Sequence, residues 1–316
     1  MKILITGVHG FVGSNLVASL SKEHEIYGLD IIAPAKEGVV QTYSWDDLDE
    51  GRIAKVDAIV HLAGKAHDTK NQAAAEVYFK VNRDLTIKIF DYFCNHPNIK
   101  KFVFFSTAKA AADKVDGILT EDVVPEPVGP YGESKIAAEN YILNCMKKRP
   151  FQFEDRGVYI FRPCMIHGPG NKGNLNLLYN VVKKGIPWPL GAFENRRTFT
   201  SVENICFAVN GVLTKDVPSG IYNMGDDEAL STNELIEEIC KSLGKKAHIW
   251  KLPKGMMNGM AKVGGFLHLP LDSERLRKLT ENYISSNAKI KAALVVEKMP
   301  VDAREGLKVT LESFAK

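Results

Sequence analysis

Short apolar runs alternate with longer stretches of helical periodicity through the first half of the chain. Ile3 to Thr6, Glu25 to Leu29, Ala58 to Leu62, Phe102 to Ser106 and Val158 to Arg162 read as buried strands, and runs without polar alternation belong to parallel sheets covered on both faces. Between them, Gly13 to Leu20, Val77 to Phe93 and Glu133 to Lys147 repeat apolar residues at helical spacing. Units of strand, helix and strand cross over right-handed, so this order predicts an α/β fold on a doubly wound parallel sheet.

The rhythm changes after Arg162. Pro163, Gly168, Pro169, Gly170, Gly173, Pro187, Pro189 and Gly191 interrupt the chain and strands become sparse, which marks a domain change. Ser219 to Met224 reads as one more strand, and Ser231-Thr-Asn-Glu234 has the form of a capping box ahead of a helix from Leu235 to Leu243. The expected organisation is a larger unit of residues 1–163, completed by a strand returning near 201–225. A smaller, discontinuous, mixed α/β unit then takes residues 164–200 and 226–316.

With 316 residues, 45% of them hydrophobic, the chain can bury a substantial core without disulfide staples. Lys and Arg total 41 against 38 Asp and Glu, a net charge of +3 with no basic block or tail, so composition gives no support for nucleic-acid or membrane-surface partners. Cys94, Cys145, Cys164, Cys206 and Cys240 are scattered, unlike a zinc site or a disulfide framework, and fit a reducing compartment. The opening apolar run, Ile3 to Ile5, is far too short for a signal-peptide core or a membrane span, so the expected location is the cytoplasm.

Thr6-Gly7-Val8-His9-Gly10-Phe11-Val12-Gly13 lies between the first strand and the first helix, with glycines at three-residue spacing. Glycines there let backbone N–H groups approach a pyrophosphate, whose charge the helix N-terminus favours, although an ordinary strand-to-helix turn has the same outline. Asp30 closes the second strand, where a carboxylate binds the adenosine ribose hydroxyls and repels a 2′-phosphate. No arginine follows to receive that phosphate, so NAD is expected rather than NADP; the bland reading of Asp30 is a turn aspartate.

Tyr131-Gly-Glu-Ser-Lys135 sets a phenol and an ammonium four residues apart, on one face of a helix. A free tyrosine titrates near 10, and an adjacent cation lowers that value so that the phenolate acts as a base. Such a pair is also common on exposed helices, where it contributes little. Position distinguishes this one: it follows the strand ending in Ser106-Thr107, at the carboxyl edge where doubly wound sheets bind ligands. His61 and His167 lack a third ligand at suitable spacing, and no metal is expected.

Together these parts resemble the extended short-chain dehydrogenase/reductase family, the NAD-dependent sugar-nucleotide epimerases and dehydratases built on a Rossmann domain. The resemblance covers most of the chain. Its carriers are Thr6-Gly-x-x-Gly-Phe-Val-Gly13, Asp57-Ala-Ile-Val-His-Leu-Ala-Gly64, Val81-Asn82, Ser106-Thr107, Tyr131-x-x-x-Lys135 and Arg162-Pro163. It implies that Tyr131 is the base, Lys135 its electrostatic and ribose partner, and Thr107 the hydroxyl on the proton path, with Ser106 as substitute. Gly7, Gly10, Phe11, Val12, Gly13, Asp30, Leu62, Ala63, Gly64, Asn82 and Pro163 would surround the cofactor with Tyr131 and Lys135. Asn82 read alone is also a helix-start cap. A homodimer through a helical face is usual for that family.

In the same family the segment after Arg162-Pro163 builds the nucleotide-sugar pocket. Asn174 aligns with an asparagine that meets the diphosphate, and Asn195-Arg-Arg-Thr-Phe-Thr-Ser-Val202 resembles a stretch that would make Arg197 a bidentate phosphate donor. Arg196 and Arg197 also fit a solvated surface pair. Arg275, in Asp272-Ser-Glu-Arg-Leu-Arg277, is a second clamp candidate. Thr198 and Ser201 depart from the family's Asp and His, Ala108-Lys109 stands where an aromatic pair is usual, and only Asp46 or Asp47 offers an adenine contact.

His61-Leu-Ala-Gly-Lys-Ala-His67, Lys109, Gly170-Asn-Lys-Gly-Asn174 and Pro187-Trp-Pro-Leu-Gly191 look like the bacterial surface-polysaccharide branch. That branch holds UDP-glucose 4-epimerases and reductases of UDP-4-keto-6-deoxy-N-acetylhexosamines, both acting at carbon 4 of a UDP-sugar. The resemblance thus implies a 4-epimerase, with the NAD(P)H-dependent reductase as its alternative. The dehydratases' acidic pair is missing after Thr107. A non-catalytic dinucleotide sensor would normally lose the Tyr-Lys pair that is present here.

Overall fold

The structure is a computed structural model describing residues 1–65, 74–266 and 273–315; the side chains of residues 264–266, 274, 275 and 278 lie outside the description. Seven strands form one parallel sheet: β1 (Lys2–Thr6), β2 (Glu25–Leu29), β3 (Gln41–Tyr43), β4 (Ala58–His61), β5 (Lys101–Phe105), β6 (Gly157–Pro163) and β7 (Gly220–Met224). Their spatial order is β7-β6-β5-β4-β1-β2-β3. The order reverses at β1, which pairs with β2 on one side and β4 on the other. In a doubly wound sheet that reversal opens a crevice beyond the strands' carboxyl ends.

Strand alternation sorts the apolar runs onto two faces. Ile3, Ile5, Val103 and Phe105 join one core with helices α1 (Phe11–Leu20) and α5 (Val202–Thr214). Leu4, Phe102 and Phe104 join the opposite core with α2 (Leu85–Asn95) and α4 (Pro130–Lys148). Both faces are dry, which is why these strands read as unbroken apolar runs. Phe90 centres the second core, its ring 5.1 Å from Phe102 and 5.7 Å from Phe93.

The region expected to return as a strand near 201–225 contains both α5 and β7. Strands beyond β6 are present but short: Arg197–Ser201 pairs with Met165–His167 and Ala229–Leu230, and Ile284–Ser285 with Ile118–Leu119. Runs of two to five residues are too short to display a period. Helix α7 (Ala288–Leu294), assigned above to the smaller unit, buries Ile290 and Leu294 in the core beside β7 and α5. Gly211 permits this, since a Cβ there would stand 2.5 Å from Leu294 Cδ2. The Ser231–Glu234 capping box forms ahead of helix Thr232–Ser242. An unforeseen second box joins Ser44 to Asp47, so Asp47 is occupied locally rather than free for adenine.

Among the described residues no helix is long and apolar enough to cross a membrane. Phe90→Ala should lower the unfolding free energy by about 3–5 kcal/mol in a urea titration, the cost of a large aromatic void; a loss under about 1 kcal/mol would place the core elsewhere.

Candidate active site

The glycine loop is shaped by contacts that exclude side chains. Gly7 has φ +69°, its N–H donates to Leu29 O at 2.8 Å, and a Cβ on it would lie 3.0 Å from Ala63 N. A Cβ on Gly13 would stand 2.3 Å from Gly7 O. Gly10 caps α1 without a side-chain acceptor, so the first-turn N–H groups are available to an anion. Phe11 and Asn15 tie this helix to the Gly168-Pro169-Gly170 loop, Asn15 Nδ2 donating to Phe11 O at 2.9 Å and Pro169 O at 3.0 Å. Val12 and Leu62 pack against the core below. Asp30 lies beside the loop, its carboxylate accepting from His9 N at 3.0 Å and Ile31 N at 2.7 Å.

A buried polar chain joins this loop to the next. Thr6 Oγ1 accepts from Leu62 N at 3.1 Å and Ala63 N at 3.0 Å, which leaves its own proton for His61 Nδ1 at 2.7 Å. His61 Nε2 then donates to Thr86 Oγ1 at 3.0 Å, and Thr86 to Asn82 O at 2.6 Å. Burial, aided by the Lys135 charge, pulls the His61 pKa well below its usual value, so it serves as a neutral link. Asn82 sits in a π-helical turn, Phe79–Asp84, a local widening often found at functional sites. Its Oδ1 accepts from Lys65 N at 2.7 Å, and its Nδ2 donates to Lys65 O at 3.1 Å and Ser134 Oγ at 3.0 Å. Ser134 passes the link to Tyr131 O at 2.9 Å.

Helix α4 therefore starts at a fixed height against the strand ends. Gly132 lets it approach the short helix α3 (Ala108–Ala111), because a Cβ there would meet Lys109 O at 2.6 Å. Tyr131 shares a side-chain hydrogen bond with Thr107. Burial pushes the phenol's pKa up, and the Thr107 hydroxyl opposes that shift. Tyr78 meets the Tyr131 ring edge-on at 6.3 Å. One turn on, Lys135 Nζ donates to Phe105 O at 2.8 Å and lies 4.9 Å from the Phe104 ring centre. Burial lowers its pKa to about 8, with Glu139 acting in the opposite direction. A Cβ on Gly64 would come within 3.1 Å of Lys135 Nζ, so glycine at this position leaves room for the ammonium at the strand ends.

Ser106 does not accompany Thr107. Its hydroxyl donates to Glu139, which also takes the Arg162 guanidinium through Nη2 at 2.6 Å, and both members of that ion pair are buried. Pro163, the last residue of β6, lies in register with Met224. Asn174 is exposed at the start of helix Asn174–Lys183. Arg197 opens its strand, largely buried near Glu281, Cys164 and Tyr283; burial lowers its pKa and Glu281 opposes this. Arg196 instead faces Glu234 at 3.0 Å on the surface. The Arg275 side chain lies outside the described residues, as does His67. His167 is held by Thr310 at 2.9 Å and Asp226 at 3.3 Å. Sequence reasoning passed over Thr6, Tyr78, Ser134 and Glu139; the last two lie three and eight residues beyond Tyr131, a helical spacing that carried the signal.

The profile of the NAD dependent epimerase/dehydratase family matches residues 3–225. The chain belongs to this family. The UDP-glucose 4-epimerase of Vibrio cholerae is 30% identical over 271 residues, spanning 79% of this chain and 78% of that protein. N-acetyl-alpha-D-glucosaminyl-diphospho-ditrans,octacis-undecaprenol 4-epimerase of Escherichia coli O157:H7 is 27% identical and spans 98% of this chain and 94% of its own length. Among solved structures, UDP-N-acetylglucosamine 4-epimerase from Bacillus cereus superposes over 100% of both chains with a TM-score of 0.77 at 21% identity, a likeness of fold.

As a member of the NAD dependent epimerase/dehydratase family, the chain is an enzyme and NAD is its cofactor. The residues present fit the dinucleotide: a cradle at Gly7 and Gly13 that any Cβ would fill, an uncapped helix start, and a carboxylate at the end of β2. Asp30→Ala should narrow the ratio of NADP to NAD dissociation constants, measured by fluorescence titration, and an unchanged ratio would remove Asp30 from the ribose. On the expectation that the Lys135 ammonium lowers the phenol pKa, Lys135→Met should raise it. At saturating NAD the ascending limb of kcat/KM should therefore move to higher pH, by about one unit or more; an unmoved limb would separate Lys135 from proton transfer.

Proposed function

We propose that this enzyme is a 4-epimerase of a UDP-hexose. The observation that carries this reading is Tyr131 hydrogen-bonded to Thr107 one turn before the buried Lys135, with Ala108-Lys109 rather than an acidic pair directly after Thr107. As phenolate, Tyr131 takes the proton of the carbon-4 hydroxyl while carbon 4 is oxidised, and returns it when that carbon is reduced from the opposite face. Bound NAD supplies the hydride acceptor and donor for this exchange. Thr107 shares the proton with Tyr131, and Lys135 stabilises the phenolate. No net oxidation results.

Elimination is disfavoured by the residues after Thr107. Ala108 is buried, and Lys109 Nζ is held by Asp113 Oδ1 at 2.8 Å and Asp113 O at 2.7 Å, 4.9 Å from the Tyr283 ring centre. The names of the Vibrio cholerae and Escherichia coli relatives, both 4-epimerases, support the same reading. Residues 164–200 and 226–316 would receive the nucleotide sugar, with Asn174 and Arg197 meeting the diphosphate.

Purified enzyme with NAD and either UDP-glucose or UDP-N-acetylglucosamine, followed by NMR and by NADH absorbance, tests this. Inversion at carbon 4 without net NADH is expected, and Tyr131→Phe should slow it by about 10²–10⁴-fold. Consumption of NADH only with a UDP-4-keto-6-deoxy-N-acetylhexosamine would instead make the enzyme a reductase.

A further inference from the structure

The average charge conceals a local imbalance. From Ile239 to Phe266 the chain has no Asp or Glu, yet carries Lys241, Lys245, Lys246, Lys251, Lys254 and Lys262. Leu175 to Phe193 is likewise free of acids and adds Lys183 and Lys184. The two stretches are joined in space: Trp188 N donates to His248 O and Trp250 N to Trp188 O, both at 2.8 Å, and Lys245 Nζ reaches Lys183 O at 2.7 Å. Their lysines alone exceed the whole chain's net charge of +3, so the remaining surface is net acidic.

A helix rises from this basic region. In α6 (Lys254–Phe266), Met257 and Ala261 are buried against Leu190 and Leu276. Its other side leaves Met256 45%, Met260 53% and Val263 55% exposed, at positions i, i+4 and i+7, and Trp250 and Ile186 are exposed at 54% and 53%. At thirteen residues α6 is about 20 Å long. An apolar stripe on a helix that carries Lys254 and Lys262 and no acid, rising from a lysine-rich surface, has the pattern of an interfacial helix, which lies in the plane of a bilayer and does not span it.

We propose that α6 and the lysines around it dock this enzyme on an anionic lipid surface. Charge complementarity selects that occupant. A second copy of the chain meeting this face across a two-fold axis would bring lysines against lysines. A nucleic acid would engage the lysines and leave Met256, Met260 and Val263 in water. A bilayer of anionic headgroups satisfies both: the lysines are drawn to its negative surface potential, and the methionines enter the headgroup boundary. This inference rests on the surface alone and is independent of which sugar the enzyme takes.

Vesicle co-sedimentation tests it, with phosphatidylcholine alone and mixed with phosphatidylglycerol. The full-length enzyme should pellet with the anionic vesicles at low salt and far less with neutral ones. Lys254→Glu/Lys262→Glu and, separately, Met260→Ser/Val263→Ser should each weaken that binding by about tenfold or more. Lys147→Glu/Lys148→Glu, at the exposed far end of α4, should leave it unchanged. Circular dichroism checks that each variant is folded. Absence of binding to anionic vesicles, or equal weakening by the control variant, would overturn the proposal. So would a concentration-dependent dimer abolished by Met260→Ser/Val263→Ser, which would make the stripe an interface between copies.

Discussion

A buried ammonium governs the arrangement of this site. Lys135 is only 5% exposed, and a cation so far from water is tolerated only where fixed acceptors face it. The Phe105 carbonyl and the Phe104 ring supply that on the strand side, and the Glu139 charge supplies it one turn further along the same helix. Holding Lys135 against the end of β5 sets the height of α4 on the sheet. Tyr131, one turn earlier, is thereby brought to Thr107, the second residue beyond that strand.

Two buried networks resist any slip in this register. Asn82 and Ser134 tie the start of α4 to the turn after β4, while Arg162, Glu139 and Ser106 tie its middle to β6 and to the exit from β5. The first network continues through Thr86, His61 and Thr6 to the glycine loop. The start of α4, which carries Tyr131 and Lys135, and the dinucleotide cradle are thus parts of one hydrogen-bonded assembly around the sheet's switch point. The proposed chemistry, in which hydride leaves a carbon and a proton leaves the hydroxyl it bears, requires such mutual placement, since both acceptors must reach the sugar in a single geometry.

Much of this was legible in the chain because the central strands are buried on both faces and their apolar runs are uninterrupted. Gly7, Gly13, Tyr131 and Lys135 were legible for a related reason: backbone approach and one-face helical spacing both write themselves as local patterns. The assembly around them was not. Glu139 and Arg162 are 23 residues apart and Thr6 and His61 are 55 apart, so their partnership exists only after folding. Ser106 and Thr107 are neighbours in sequence, yet the strand end directs one to Glu139 and the other to Tyr131. The short strands beyond Pro163 gave no period to read, and Ile290 and Leu294 returned to the main core from a stretch whose sequence neighbours pack elsewhere.

The central claim is that carbon 4 of the sugar is oxidised and reduced again within one closed site, with only the hydroxyl proton passing through Tyr131. Turnover of a UDP-hexose deuterated at carbon 4, followed by NMR in ordinary water, tests this most directly. Epimerised sugar that retains its deuterium at carbon 4 is the expected result. Replacement of that deuterium by solvent hydrogen would contradict it, because the proton would then have been taken from carbon rather than from oxygen.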